Sequence, residues 1–123
     1  MPDMLLARNA VEVIKGTNRS FLLTVTKDTG DPQSLAGGRV VLTVREALDS
    51  TRPVLVKTSD SSLQIAITDA RGGKATIYFV PADTRNLEPK QYVFDVWVQL
   101  AGGERYAVIP PTTLDLQLGV TTL

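Results

Sequence analysis

Apolar residues recur at every second position through most of this chain. In Leu87 to Gln99, the most apolar of these runs, Tyr92, Phe94, Val96 and Val98 fall on one face by the period of two, and Val93, Asp95, Trp97 and Gln99 on the other. The pattern predicts a central strand. Upstream, Val11 and Val13 alternate with Glu12 in a short strand closed by Gly16, and Phe21, Leu23 and Val25 share a face of the next, from Arg19 to Lys27, so the two read as a hairpin. Arg39 to Arg45 sets Val40, Leu42 and Val44 against Val41 and Thr43, a β-branched run suited to a pleated surface. Pro53 precedes a shorter strand, Val54 to Thr58, and suits an edge. Leu63, Ile65 and Ile67 then alternate with Gln64, Ala66 and Thr68, and Ala75, Ile77 and Phe79 with Thr76 and Tyr78. In the last strand, Thr112 to Leu118, the buried face is expected to be Leu114, Leu116 and Leu118.

Turn chemistry separates these runs. Asp28 to Pro32, Ser59 to Ser62 and Asp69 to Gly73 are reversals, and the paired glycines of Leu100 to Glu104 belong to a hairpin. Pro81 to Thr84 nucleates one helical turn, with proline tolerated at its start and Asp83 favoured near the positive end of the helix dipole. Pro110 and Pro111 cannot donate to a ladder, so the last strand is expected to change neighbour or sheet there. No segment of useful length has helical periodicity. Eight or nine short strands make a two-sheet antiparallel sandwich or a closed barrel. Leu87, Pro89 and Tyr92 have the L-x-P-x-x-Y spacing of a tyrosine corner, which favours an all-β, immunoglobulin-like antiparallel β-sandwich. Residues 1–9 are then an N-terminal arm, 10–118 the sandwich and 119–123 a tail.

Composition removes several functions. The 123 residues suffice for one domain that buries about two thirds of its unfolded surface. Without cysteine there is neither a disulfide nor a zinc-thiolate site, and packing alone must hold the core. Without histidine the usual neutral-pH acid/base is missing, which disfavours an enzyme. Thirteen basic and thirteen acidic residues cancel, leaving no long-range field for nucleic acid or an anionic membrane. Asp28 and Asp31 flank Gly30 without the ordered ligand spacing of a calcium loop, and no phosphate loop or nucleophile elbow occurs. No metal, cofactor or catalytic residue is assigned. Asp3 precedes only a short apolar run, so a leaderless, soluble protein is expected.

Trp97, the single tryptophan, lies opposite the core face, beside Val93 and Tyr78 in the expected register. Either a loop or the arm covers it, or it anchors an interface, since outward apolar patches mark binding surfaces. In the sharper reading Trp97, Val93 and Tyr78 join Met4, Leu5 and Leu6 in an assembly contact. Asp95 reads as a cross-strand partner for Arg105 or Lys74 rather than as a catalytic group. No second carboxylate stands at a spacing that glycosidase chemistry requires.

Several segments follow one another in a familiar order: V-I-K-G at Val13, L-A-G-G-R-V-V-L-T-V-R at Leu35, K-T-S at Lys57, I-A-I-T-D at Ile65, P-A-D-T at Pro81 and L-E-P-K-Q-Y-V-F-D-V at Leu87. The series, spanning Val13 to Val108, resembles the immunoglobulin-like N-terminal domain of phage baseplate upper proteins and related tail and tail-fibre modules. The resemblance implies a virion structural subunit, made in the bacterial host cytoplasm and held as a homo-oligomer in a ring or collar by other virion proteins. The chain ends soon after the domain, which favours a connector, decoration or baseplate component over a host adhesin. The alternative is a carbohydrate- or surface-binding sandwich whose loops, Asp28 to Pro32 or Leu100 to Glu104, hold a ligand. An enzyme comes third.

Overall fold

The alternating runs form strands in the computed structural model, which describes residues 3–4 and 10–121. In chain order these are β1 (Asp3–Met4), β2 (Ala10–Ile14), β3 (Arg19–Thr26), β4 (Arg39–Arg45), β5 (Leu55–Thr58), β6 (Ile65–Asp69) and β7 (Lys74–Phe79). The short helix α1 (Pro81–Thr84) follows, then β8 (Gln91–Gln99) and β9 (Arg105–Gln117). One sheet has the order β1-β3-β7-β6 and the other β2-β9-β8-β4-β5. These are the A-B-E-D sheet and the G-F-C sheet of an immunoglobulin sandwich, the second extended by β5 as C′ at one edge and by β2 beside β9 at the other, with β8 as strand F. As expected, β8 is central and β5 is an edge.

The predicted faces are largely those observed. Leu23, Val25, Ile65, Ala75, Ile77 and Phe79 of one sheet pack against Val11, Val13, Val40, Leu42, Val44, Tyr92, Phe94, Val96, Val98, Leu114 and Leu116 of the other. Phe21 meets Phe79 edge-to-face with ring centres 5.8 Å apart, a favoured aromatic geometry. Two positions after the corner tyrosine, where antibody domains carry the second cysteine of their inter-sheet disulfide, the chain has buried Phe94. Leu63 and Leu118 depart from the pattern. They lie outside β6 and β9 and are 83% and 72% exposed, because the pleat that would turn them inward stops before or after them.

Pairing differs from expectation in three places. The strands expected to form the first hairpin, β2 and β3, lie in different sheets: β2 runs parallel to β9, from Ala10 beside Thr113 to Ile14 beside Gln117, while β3 pairs with β7. Gly16, at φ 77°, carries the chain across. The described strands are therefore antiparallel throughout except for β2 with β9. Secondly, Asp3 and Met4, expected in an arm, pair with Thr26 and Val25 of β3. Thirdly, Pro110 and Pro111 interrupt the ladder without diverting the strand to another sheet. The register of β8 with β9 shifts between Phe94 and Val96 and again between Val96 and Trp97, and β9 bulges at Val108 and at the prolines. A bulge absorbs residues that cannot donate and bends the strand. Beyond the bend β9 keeps β8 on one side and gains β2 on the other.

The tyrosine corner is formed. Tyr92 is buried, and its hydroxyl donates to the Glu88 carbonyl at 2.7 Å, while Leu87 packs on the core. Lys90 stands 5.3 Å from the centre of the Tyr92 ring and pairs with Glu46 at 3.0 Å. Burial raises the phenol's pKa above its usual value, partly opposed by the charge of Lys90.

Next to the corner, α1 joins three segments distant in sequence. Asp83 reaches back to the Val80 amide at 2.8 Å, a partial capping box. It also forms an ion pair with Lys57, which points inward from β5 and is 4% exposed, with its ammonium 5.9 Å from the centre of the Phe79 ring. Thr84, equally buried, accepts the Gly16 amide at 2.9 Å. Removing one partner of a buried pair strands the other charge, at a cost of about 3–5 kcal/mol. Asp83→Asn is expected to lower unfolding stability by that order in denaturant titration, and Lys57→Met/Asp83→Asn by less than the sum of the two single changes. Tyr92→Phe should cost about 1 kcal/mol. Because the phenol's pKa is raised on folding, its contribution is complete below the unfolded value of about 10 and declines as pH rises past it. Stability measured from pH 8 to 11 should fall in the alkaline range, and less steeply in Tyr92→Phe.

Candidate functional site

The outer face of the five-stranded sheet is set by the same alternation that buries the inner one. With Phe94, Val96 and Val98 inward, β8 turns Val93, Asp95 and Trp97 outward. Trp97 lies between Val41 of β4 and Ala107 of β9, and Val93 between Arg45 and Thr113. Among the described residues no loop covers the indole, which is 46% exposed. Val56 of β5 and Ile14 of β2 add further exposed apolar residues to this face, and Leu48 lies beside it.

The indole is nevertheless held in place. Its Nε1 donates to Asp95 Oδ2 at 3.0 Å, a contact between same-face neighbours on one strand that limits rotation of the ring. Asp95 thus has a different partner from those expected. Arg105 pairs across from Gln99, further along the strand, and Lys74 belongs to the other sheet, because the topology sends β7 against β3. Beside the indole is a depression of about 340 Å³ lined by Val41, Thr43, Arg45, Asp95 and Trp97. A smaller one continues from it past Val93 to Leu48 and Pro111.

The residues expected to cluster at Trp97 divide between surfaces. Val93 shares the face. Tyr78 does not: it sits opposite Ser20 on the outer side of the four-stranded sheet, where it lines a separate depression of about 430 Å³ with Arg19, Ser62 and Leu63. Met4 belongs to β1 in that same sheet, and Leu5 and Leu6 lie outside the described residues. Alternation marked Tyr78 as outward, but only strand order shows which outer face it occupies. Sequence reasoning missed Val41, Val56 and Arg45 as members of the Trp97 face. Their outward parity in β4 and β5 was the available signal.

Of the two loops considered for ligand binding, Asp28–Pro32 is a closed turn, with Lys27 N donating to Asp31 O at 2.8 Å and Thr26 bridged to Pro32. The Leu100–Glu104 loop is a tight hairpin closed at 2.8 Å, with Gly103 at φ 93°. Among the described residues no group of three or more histidine, cysteine or carboxylate residues is placed to hold a metal ion.

No family model and no curated protein sequence matches the chain. Solved structures similar to it include domains 4 and 5 of the S-layer protein SbsC, with a TM-score of 0.48 and 10% identity over 93% of this chain and 50% of that one. The sialic acid binding region of the Streptococcus sanguinis SK1 adhesin gives 0.47 and 18% over 95% and 30%, and MtrC from Shewanella baltica OS185 gives 0.47 and 9% over 98% and 22%. The chain thus spans half or less of each of these. No phage-specific match is among them. The class is set by the chain's own strand order and corner: an immunoglobulin-like β-sandwich module.

With the Trp97 Nε1 bond on the solvent side of the sheet, Asp95→Asn should leave thermal stability within about 0.5 kcal/mol of the parent. Asp95→Ala, which removes the acceptor, should make the Trp97 fluorescence anisotropy decay faster, as the ring loses its anchor.

Proposed function

We propose that this chain is a structural subunit of a bacteriophage virion, a tail, baseplate or connector component that acts through protein contacts in an oligomeric assembly. The carrying observation is Trp97, oriented by Asp95 and half exposed on the outer face of the five-stranded sheet, next to Val41, Val93 and Ala107. Aromatic side chains in fixed rotamers are effective interface anchors because little entropy is lost when they are covered. The resemblance stated above supports the same reading, and three of its segments, V-I-K-G, K-T-S and P-A-D-T, meet at α1 through Gly16, Lys57, Asp83 and Thr84. On this reading the partners are other virion proteins and further copies of the chain, the location is the virion, and there is no enzymatic turnover, nucleic acid or membrane partner.

A second reading is favoured by the depression beside the indole, where Arg45, Thr43 and Asp95 offer polar groups next to an aromatic wall. That combination suits a sugar, and the module would then recognise a glycan. Trp97→Ala decides between them. In the structural reading the variant keeps stability within about 1 kcal/mol of the parent and disappears from purified particles, while the parent copurifies with them. A glycan screen that detects parental binding, with no copy of the chain in particles, overturns the structural reading.

A further inference from the structure

The Trp97 face has a charge order of its own. On β9, Arg105 stands at one end and Asp115 at the other, with Ala107 and Thr113 between them on the outward side, and Glu12 of β2 lies beside Asp115. Arg105 and Glu12 are exposed and form no ion pair among the described residues, whereas the neighbouring Arg39 is held by Asp60 at 2.7 Å. Among the described residues, Asp115 accepts from Gln117 at 3.2 Å, on its own strand. Along β8 and β9 the face therefore runs from basic, through the apolar Trp97 and Ala107, past Asp95, to acidic, while Arg45 of β4, level with Val93, donates to the Ser50 carbonyl at 3.0 Å.

We propose that this face binds a second copy of the same chain, in a two-fold pair of five-stranded sheets packed face to face. This deepens the assembly reading above by naming the partner. A two-fold axis in the interface plane, crossing β8 at Asp95, lays each strand antiparallel over its own copy. Trp97 then covers Val93 of the second copy, and Arg105 faces Asp115 and Glu12 of the second copy, twice over. Such self-complementarity is what an isologous interface requires. The long arginine stem spans the offset introduced by the crossing angle of about 30° between packed sheets. The two Asp95 carboxylates meet near the axis, each already accepting from its own indole and each with Arg45 lining the same depression. The size is at the low end of what a stable pair needs: strands of five, thirteen, nine, seven and four residues, about 4.8 Å apart with about 3.3 Å per residue, cover roughly 600 Å², against the ~800 Å² per partner of a standard interface.

The test is sedimentation of the full chain at concentrations up to about 100 μM, with circular dichroism confirming that each variant is folded. The parent should be a dimer whose dissociation constant rises with salt. Arg105→Glu alone, and Glu12→Arg/Asp115→Arg alone, should each raise that constant about tenfold or more by setting like charges opposite each other. An equimolar mixture of the two should restore the dimer, since both corner contacts are then oppositely charged. A parent that stays monomeric, a dimer indifferent to these changes, or a mixture that fails to reassociate overturns the proposal. A monomeric chain that enters particles in a Trp97-dependent way overturns only the two-fold pair and leaves the virion reading standing; a charge-dependent dimer never found in particles does the reverse.

Discussion

The sandwich depends on a buried ion pair at its flank. Lys57 projects inward from the edge strand β5, and Asp83 meets it from α1, the single helical turn between β7 in one sheet and β8 in the other. In a medium of low polarity neither charge is tolerable without its partner. The distance between the edge of one sheet and the corner leading out of the other is therefore fixed. Thr84 extends the constraint to Gly16, at the crossing from β2 to β3, and the Leu87 amide bonds to the Thr84 carbonyl at 2.9 Å as the chain enters the tyrosine corner. An inward charge on an edge strand also opposes the addition of further strands, so the element that closes this flank protects it too.

From that fixed corner the central strand takes its pitch. Tyr92, tied to Glu88, sets the entry of β8, and its alternation places Phe94, Val96 and Val98 in the core and Val93, Asp95 and Trp97 outside. Core packing and interaction surface are two faces of one strand, so register specifies both together. The bulges of β9 allow the prolines to remain in the sheet and bend it toward β2, which widens the outer face and adds Glu12 beside Asp115. A strand lost to the opposite sheet at Pro110 would have left that face narrower and without its acidic end.

Much of this was legible in the residues because its causes are local. The corner rests on one spacing, the helical turn on Pro81 and Asp83, and the turns on glycine and aspartate at fixed places, all acting over a few residues. Gly73 shows where local reasoning stops. It reads as an ordinary turn residue, yet it sits at φ 69°, and a Cβ there would press on the Val25 and Gln33 carbonyls, so its necessity comes from a strand distant in sequence. Lys57 is similar. A lysine in an alternating strand gives no sign of being buried until Asp83 is known to face it.

By itself the sequence determined which residues point together, where most of the strands run, and where the corner lies, since period and turn chemistry are properties of neighbouring residues. Strand order was decided only by the tertiary structure. It separated β2 from β3, placed Tyr78 and Trp97 on opposite outer faces, gave Asp95 the indole in place of a cation, and brought Lys57 to Asp83. The physical reason is that alternation marks a face as apolar without specifying which other apolar face will cover it. That choice is made by the packing of both sheets at once.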